Sequence, residues 1–109
     1  MPIVDPMEAL QRDLQAERAS ALGRISERFE KALASWKALE AGEVPPLPTR
    51  QAEAARRSEL RDFTAEWLWM LLVQRESVGL RDHRELLERV PREIRLRIGP
   101  RRRISALSR

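Results

Sequence analysis

The chain has 109 residues, 42% apolar and 35% charged, which sizes it as one globular domain rather than a disordered segment. It contains no cysteine, which excludes a disulfide framework, a thiol nucleophile and a thiolate metal site, and fits a reducing cytoplasm. The net charge of +4 conceals a split: residues 1–80 carry 11 Lys/Arg against 13 Asp/Glu, a balance of −2, whereas residues 81–109 carry 10 Arg against 4 acids, a balance of +6.

The opening stretch, MPIVDPMEAL, has neither a basic segment nor a long apolar one, so nothing in it reads as a secretion signal and a cytoplasmic setting is expected. Asp5-Pro6-Met7-Glu8 reads as a helix start: an acceptor at the N-cap, proline at N1 and Glu at N3 to close a capping box. Met7, Leu10, Leu14, Leu22, Ile25, Phe29, Leu33, Trp36 and Leu39 then recur at helical spacing. Gly42 stops this helix, and Val44-Pro45-Pro46-Leu47-Pro48 cannot continue it. A helix over about 5–41 is roughly 55 Å long, whereas a compact domain of this size has a radius of gyration of only ~13 Å. Either it kinks near Ser20–Gly23 or the protein is elongated.

After the proline linker, 42–48, Thr49 caps a second helix over 49–78, with Gly79 and Leu80 suited to a left-handed C-terminal cap. Asp82-His83-Arg84-Glu85 reads as another capping box, opening a short helix over 82–90. Pro91 then starts a last helix over 91–98; the alternation Ile94-Arg95-Leu96-Arg97-Ile98 also fits an edge strand, but Leu87, Val90, Ile94 and Ile98 share one helical face. Residues 101–109 form a basic tail.

A short linker between two long helices predicts an antiparallel hairpin. A turn centred near residue 45 would set Trp67 and Trp69 opposite Gly23 and Ala21, and Trp36 opposite Ala54 and Ala55, large against small. The seven consecutive apolar residues Trp67–Val73 are far short of the ~20 that span a bilayer, so no membrane span is expected. They also exceed the ~100° stripe that one helix partner covers. A second copy of the chain is therefore expected to cover the excess, with Trp36, Phe63, Trp67, Trp69 and Leu71 as packing and self-association residues. The fold expected is all-α: a long antiparallel helical hairpin plus two short C-terminal helices over residues 1–100, assembled as a dimeric helical bundle or coiled coil.

Catalytic chemistry finds little support. His83 is the only imidazole, no clustered His, Cys and carboxylate spacing suggests a metal, and the glycines are too isolated to cradle a phosphate. Glu27/Glu30 and Glu59/Asp62 sit beside arginines, as on solvated helix faces. No catalytic, cofactor-binding or metal residue is assigned, and no enzyme activity or cofactor is inferred. The arginines are the alternative. Arg92, Arg95, Arg97 and Arg101, Arg102, Arg103 form a basic arm that would bind nucleic acid through phosphates with a steep salt dependence. Against that stand the interspersed acids and the missing Gly-containing turn of a helix-turn-helix.

Segments 16–24 (AERASALGR), 73–83 (VQRESVGLRDH) and 90–100 (VPREIRLRIGP) together resemble a family of short all-helical proteobacterial proteins of unknown function. The resemblance covers most of residues 8–100 and implies a small bacterial cytoplasmic helical protein, with no activity to transfer. The expected function is that of a structural or protein-interaction protein that self-associates, with nucleic-acid binding as the alternative.

Overall fold

Two capping side chains and two glycines delimit the long helices of the computed structural model, which describes residues 5–98. Asp5 Oδ1 accepts from the Met7 amide at 3.0 Å and Pro6 takes the first helical position, opening α1 (Pro6–Glu40). Gly42, at φ 72°, closes it: its amide donates to Leu39 O and the next amide, Glu43, to Ala38 O, the paired bonds of a Schellman cap. Thr49 accepts from Ala52 N at 3.0 Å to open α2 (Arg50–Ser77), and Gly79, at φ 92°, repeats the same C-terminal cap with Leu80 N donating to Arg75 O. Both positions demand a left-handed backbone that a Cβ would strain.

Two short helices follow, α3 (Arg84–Glu88) and α4 (Arg92–Arg97). The Ile94–Ile98 alternation is helical, and no strand occurs among the described residues. Asp82 departs from the expected capping box. His83 occupies the N-cap of α3 without a side-chain cap, while Asp82 Oδ1 accepts from the Arg84 amide two residues on. Pro91 likewise caps α4 rather than entering it.

α1 continues unbroken through Ser20–Gly23, and the molecule is elongated instead: 69 × 30 × 20 Å with a radius of gyration of 18.2 Å. α1 and α2 form the antiparallel pair. Facing residues run Glu40–Arg57, Trp36–Arg57, Ala32–Thr64, Arg28–Trp67 and Arg18–Gln74, numbers that add to between 92 and 97. The turn therefore centres near residue 47, not 45, and the large-against-small pairing does not form: Trp67 meets Arg28, five residues beyond Gly23, and nothing lies within 4 Å of a Cβ built on Gly23. The linker explains the shift. Leu47 N donates to the Glu53 carboxylate and Arg56 donates to Pro45 O, so the proline segment folds back along the first turns of α2.

The core is asymmetric along and across this pair. Phe29, Leu33 and Trp36 of α1 meet Ala65, Leu68, Leu71 and Leu72 of α2, and Leu86, Leu87, Val90, Ile94 and Ile98 close over them from one side. Ion pairs fasten that side: Arg89 to Glu30, Arg97 to Asp62 at 2.7 Å, and Arg57 to both Glu40 and Glu93 at 2.9 Å. Arg57 also lies 4.6 Å over the fully buried Trp36 ring, whose indole N–H finds no acceptor.

Candidate interaction surface

On the opposite side of the hairpin no helix among the described residues closes over α2. Phe63, Glu66, Met70, Val73 and Ser77 of α2 are all exposed at spacings of three, four, three and four, the spacing of a coiled-coil seam, with apolar side chains at Phe63, Met70 and Val73 and polar ones at Glu66 and Ser77. Phe63 is 55% exposed, Val73 45% and Met70 37%. Half-buried Trp67 borders this stripe, its ring edge-on to Phe63 at 6.3 Å and 79° and covered by the Arg28 guanidinium at 5.2 Å. Arg28 and Glu30 are two residues apart, about 200° around α1; Glu30 holds the C-terminal helices while Arg28 faces the bare side.

The structure therefore divides the residues that the sequence grouped together. Trp36 and Leu71 are core, 0% and 3% exposed, and Trp69 packs half-buried against that core. Phe63 and Trp67 lie on the open face. Met70 and Val73 lie in the apolar run expected to need a second copy but are not among the residues named for self-association; they belong to an exposed stripe offset from the buried one at 64, 68, 71 and 72. In a segment that is apolar all round, periodicity does not distinguish the two stripes.

The open face extends past the end of the hairpin. The last crossing is Gln74 Nε2 to Arg18 O, 3.4 Å, and α2 ends at Ser77. The first turns of α1 thus project beyond α2, with Met7 59%, Leu10 52% and Leu14 44% exposed. These three prolong the stripe that further along α1 is buried in the hairpin. A groove of about 500 Å³ lined by Leu14, Glu17, Ala21, Arg24 and Gln74 lies where this overhang meets the end of α2.

On the closed face the polar groups serve the fold. His83 is 0% exposed; its Nδ1 accepts from Arg75 Nε at 3.1 Å and its Nε2 lies 3.3 Å from Glu76 Oε2. A ring that accepts at Nδ1 carries its proton on Nε2, which donates to the carboxylate, so His83 staples the end of α2 to the start of α3. The hydrogen bond from Arg89 holds the Glu30 carboxyl below its ordinary range. At Asp62 burial pushes upward, but hydrogen bonds from Arg97 and Arg61 outweigh it and the carboxyl is lowered. Of the arginines proposed for nucleic acid, Arg97 is engaged with Asp62, Arg92 and Arg95 are exposed on α4, and Arg101, Arg102 and Arg103 lie outside the described residues.

Among the described residues no group of three or more His, Cys, Asp or Glu could hold a metal ion, and no helix is long and apolar enough to cross a membrane. What the arrangement offers chemically is an apolar, arginine-bordered helical face. No family model, curated protein or solved structure matches this chain, so the reading of its surface rests on its own geometry.

Proposed function

We propose that the protein is a helical interaction module that acts by binding rather than catalysis, and that it self-associates into a homodimer through the open face of its hairpin. The observation that carries this reading is the Phe63–Met70–Val73 stripe, exposed at coiled-coil spacing on a helix that buries Thr64, Ala65, Leu68, Leu71 and Leu72. Withdrawing a large apolar side chain from water contributes on the order of 1.5–3 kcal/mol when burial is complete. Large contiguous apolar patches on soluble chains mark binding surfaces. A two-fold copy is the commonest partner for such a face. The cysteine-free composition supports a cytoplasmic setting.

Sedimentation equilibrium tests this. The wild-type chain is expected to be dimeric at tens of micromolar, and Phe63→Glu/Met70→Glu monomeric with unchanged helix content. A wild-type chain that stays monomeric throughout that range overturns the reading.

A further inference from the structure

Besides Lys31, which pairs with Glu27 at 3.2 Å, the side of α1 that borders the open face carries four exposed charges in a fixed order: Asp13, Glu17, Arg24, Arg28. Their spacings of four, seven and four keep them on one side of a helix. None makes an ion pair within the described residues: Arg24 donates to Ser20 Oγ, 2.8 Å, and Arg28 stacks on Trp67. Two acids followed by two bases form a pattern that reverses sign about its midpoint, between Ser20 and Ala21. A helix so patterned is complementary to an antiparallel copy of itself.

We infer that a second copy of this chain docks on the open face about a two-fold axis beside Ser20 and Ala21, pairing Asp13 with Arg28 and Glu17 with Arg24 across the interface. This names the geometry of the self-association proposed above and rests on it. In a symmetric contact each pairing occurs twice.

Three further features agree with that axis. The first is reach. Numbers that add to 41 across the axis bring Met7, Leu10 and Leu14 of one copy to the level of residues 27–34 of the other. There Trp67 lies beside Arg28 and Thr64 beside Ala32, with exposed Phe63 next to both. The apolar overhang of each copy then lies on the aromatic stripe of the other. The second is bulk: half-buried Ala21 at the crossing point lets two α1 backbones approach closely. The third is area. The contact runs over residues 7–34, about 42 Å at 1.5 Å per residue, and is one to two helices of 10–12 Å wide. That is on the order of 600 Å² in projection, where standard interfaces take about 600–1,000 Å² from each partner.

The test is charge reversal followed by sedimentation equilibrium. Asp13→Arg/Glu17→Arg and Arg24→Glu/Arg28→Glu are each expected to weaken the dimer at least tenfold, by setting like charges opposite one another. The variant that combines all four reversals is expected to recover wild-type association. All four side chains are exposed, so far-UV circular dichroism should match the wild type throughout. A second probe uses the absence of native cysteine. In Glu17→Cys/Arg24→Cys the two thiols are seven residues apart on one helix, about 10 Å, too far to bridge within a chain, yet they face each other across the proposed axis. Mild oxidation should convert it to covalent dimer. If the wild type dimerises and Phe63→Glu/Met70→Glu does not, but the reversals change nothing or the fourfold variant fails to recover, self-association stands and this axis is overturned. A monomeric wild type removes both.

Discussion

The two faces of the hairpin are built from the same two helices and the same kinds of residue, yet one is finished and the other is not. On the closed face the side chains turned into the core are covered: Leu68 and Leu72 are 0% exposed beneath Ile94 and Ile98, and Glu30, Asp62 and Glu93 each meet an arginine of a different element, while Leu96 of α4 is 61% exposed. On the open face Phe63, Met70 and Val73 stay in solvent, and the nearby cation, Arg28, rests on an aromatic ring rather than a carboxylate. α3 and α4 make the difference. They are long enough to cover one side of the hairpin and no more. The contrast teaches that the stability of the chain and its capacity to bind reside on opposite sides of the same helix pair, so substitutions should separate them.

The largest expected effect lies on the closed face. Trp36→Ala should cost about 3–5 kcal/mol in urea denaturation, the usual range for emptying an aromatic site in a core. Trp36→Phe should cost much less, because it keeps most of the packing and removes a buried indole N–H that has no acceptor. A Trp36→Ala variant as stable as the wild type would dissolve the distinction between the faces.

Acid should act next, and the two tethers of the closed face are among the groups it reaches, with Glu53 at the linker. Glu30 and Asp62 are both lowered in the folded chain, by Arg89 and by Arg97 with Arg61, from ordinary values of 4.5 and 3.8. Carboxyls with depressed folded values contribute stability that is fully present above those ordinary values and lost as pH falls through the folded ones. Both pairs are partly exposed, so the two tethers together should be worth on the order of 1 kcal/mol. The urea midpoint should fall below about pH 4, and Glu30→Gln/Asp62→Asn should flatten that fall. An unchanged acid limb in the double variant would mean the ion pairs carry no net stability.

The smallest effect on folding belongs to the open face. Phe63→Ala should change the stability of the isolated protomer by about 0.5 kcal/mol or less, as surface substitutions do, while weakening association. A large loss of protomer stability would show that Phe63 supports the fold, and would sharpen the boundary between the faces toward Trp67.

Much of this architecture was readable from particular residues. Asp5 with Pro6, Thr49, Gly42 and Gly79 mark the ends of the long helices to within a residue or two, because caps are local chemistry. The helical face shared by Leu87, Val90, Ile94 and Ile98 does place those residues in the core. The register was not readable. It depends on how the proline linker folds back onto Glu53 and Arg56, a tertiary arrangement that no periodicity encodes. Burial of His83 was equally hidden, since a lone imidazole between Asp82 and Arg84 has the composition of a surface turn. The candidate surface was half legible: Phe63 and Trp67 are on it, Trp36 and Leu71 are not, and only the path of α3 and α4 decides which.

The overhang of α1 has a consequence for how order is distributed along the chain. A free peptide of three turns is barely helical in water, because starting a helix fixes several dihedrals for a single hydrogen bond. Residues 6–17 avoid that initiation cost by growing from the packed segment beyond Ala21, with Asp5 as the far stop. Their helix is propagated rather than nucleated, so any fraying would start at its free end. The first turns of α1 are thus a segment whose order is set by whatever lies against them, and a docked surface would register there as a helix that ceases to fray.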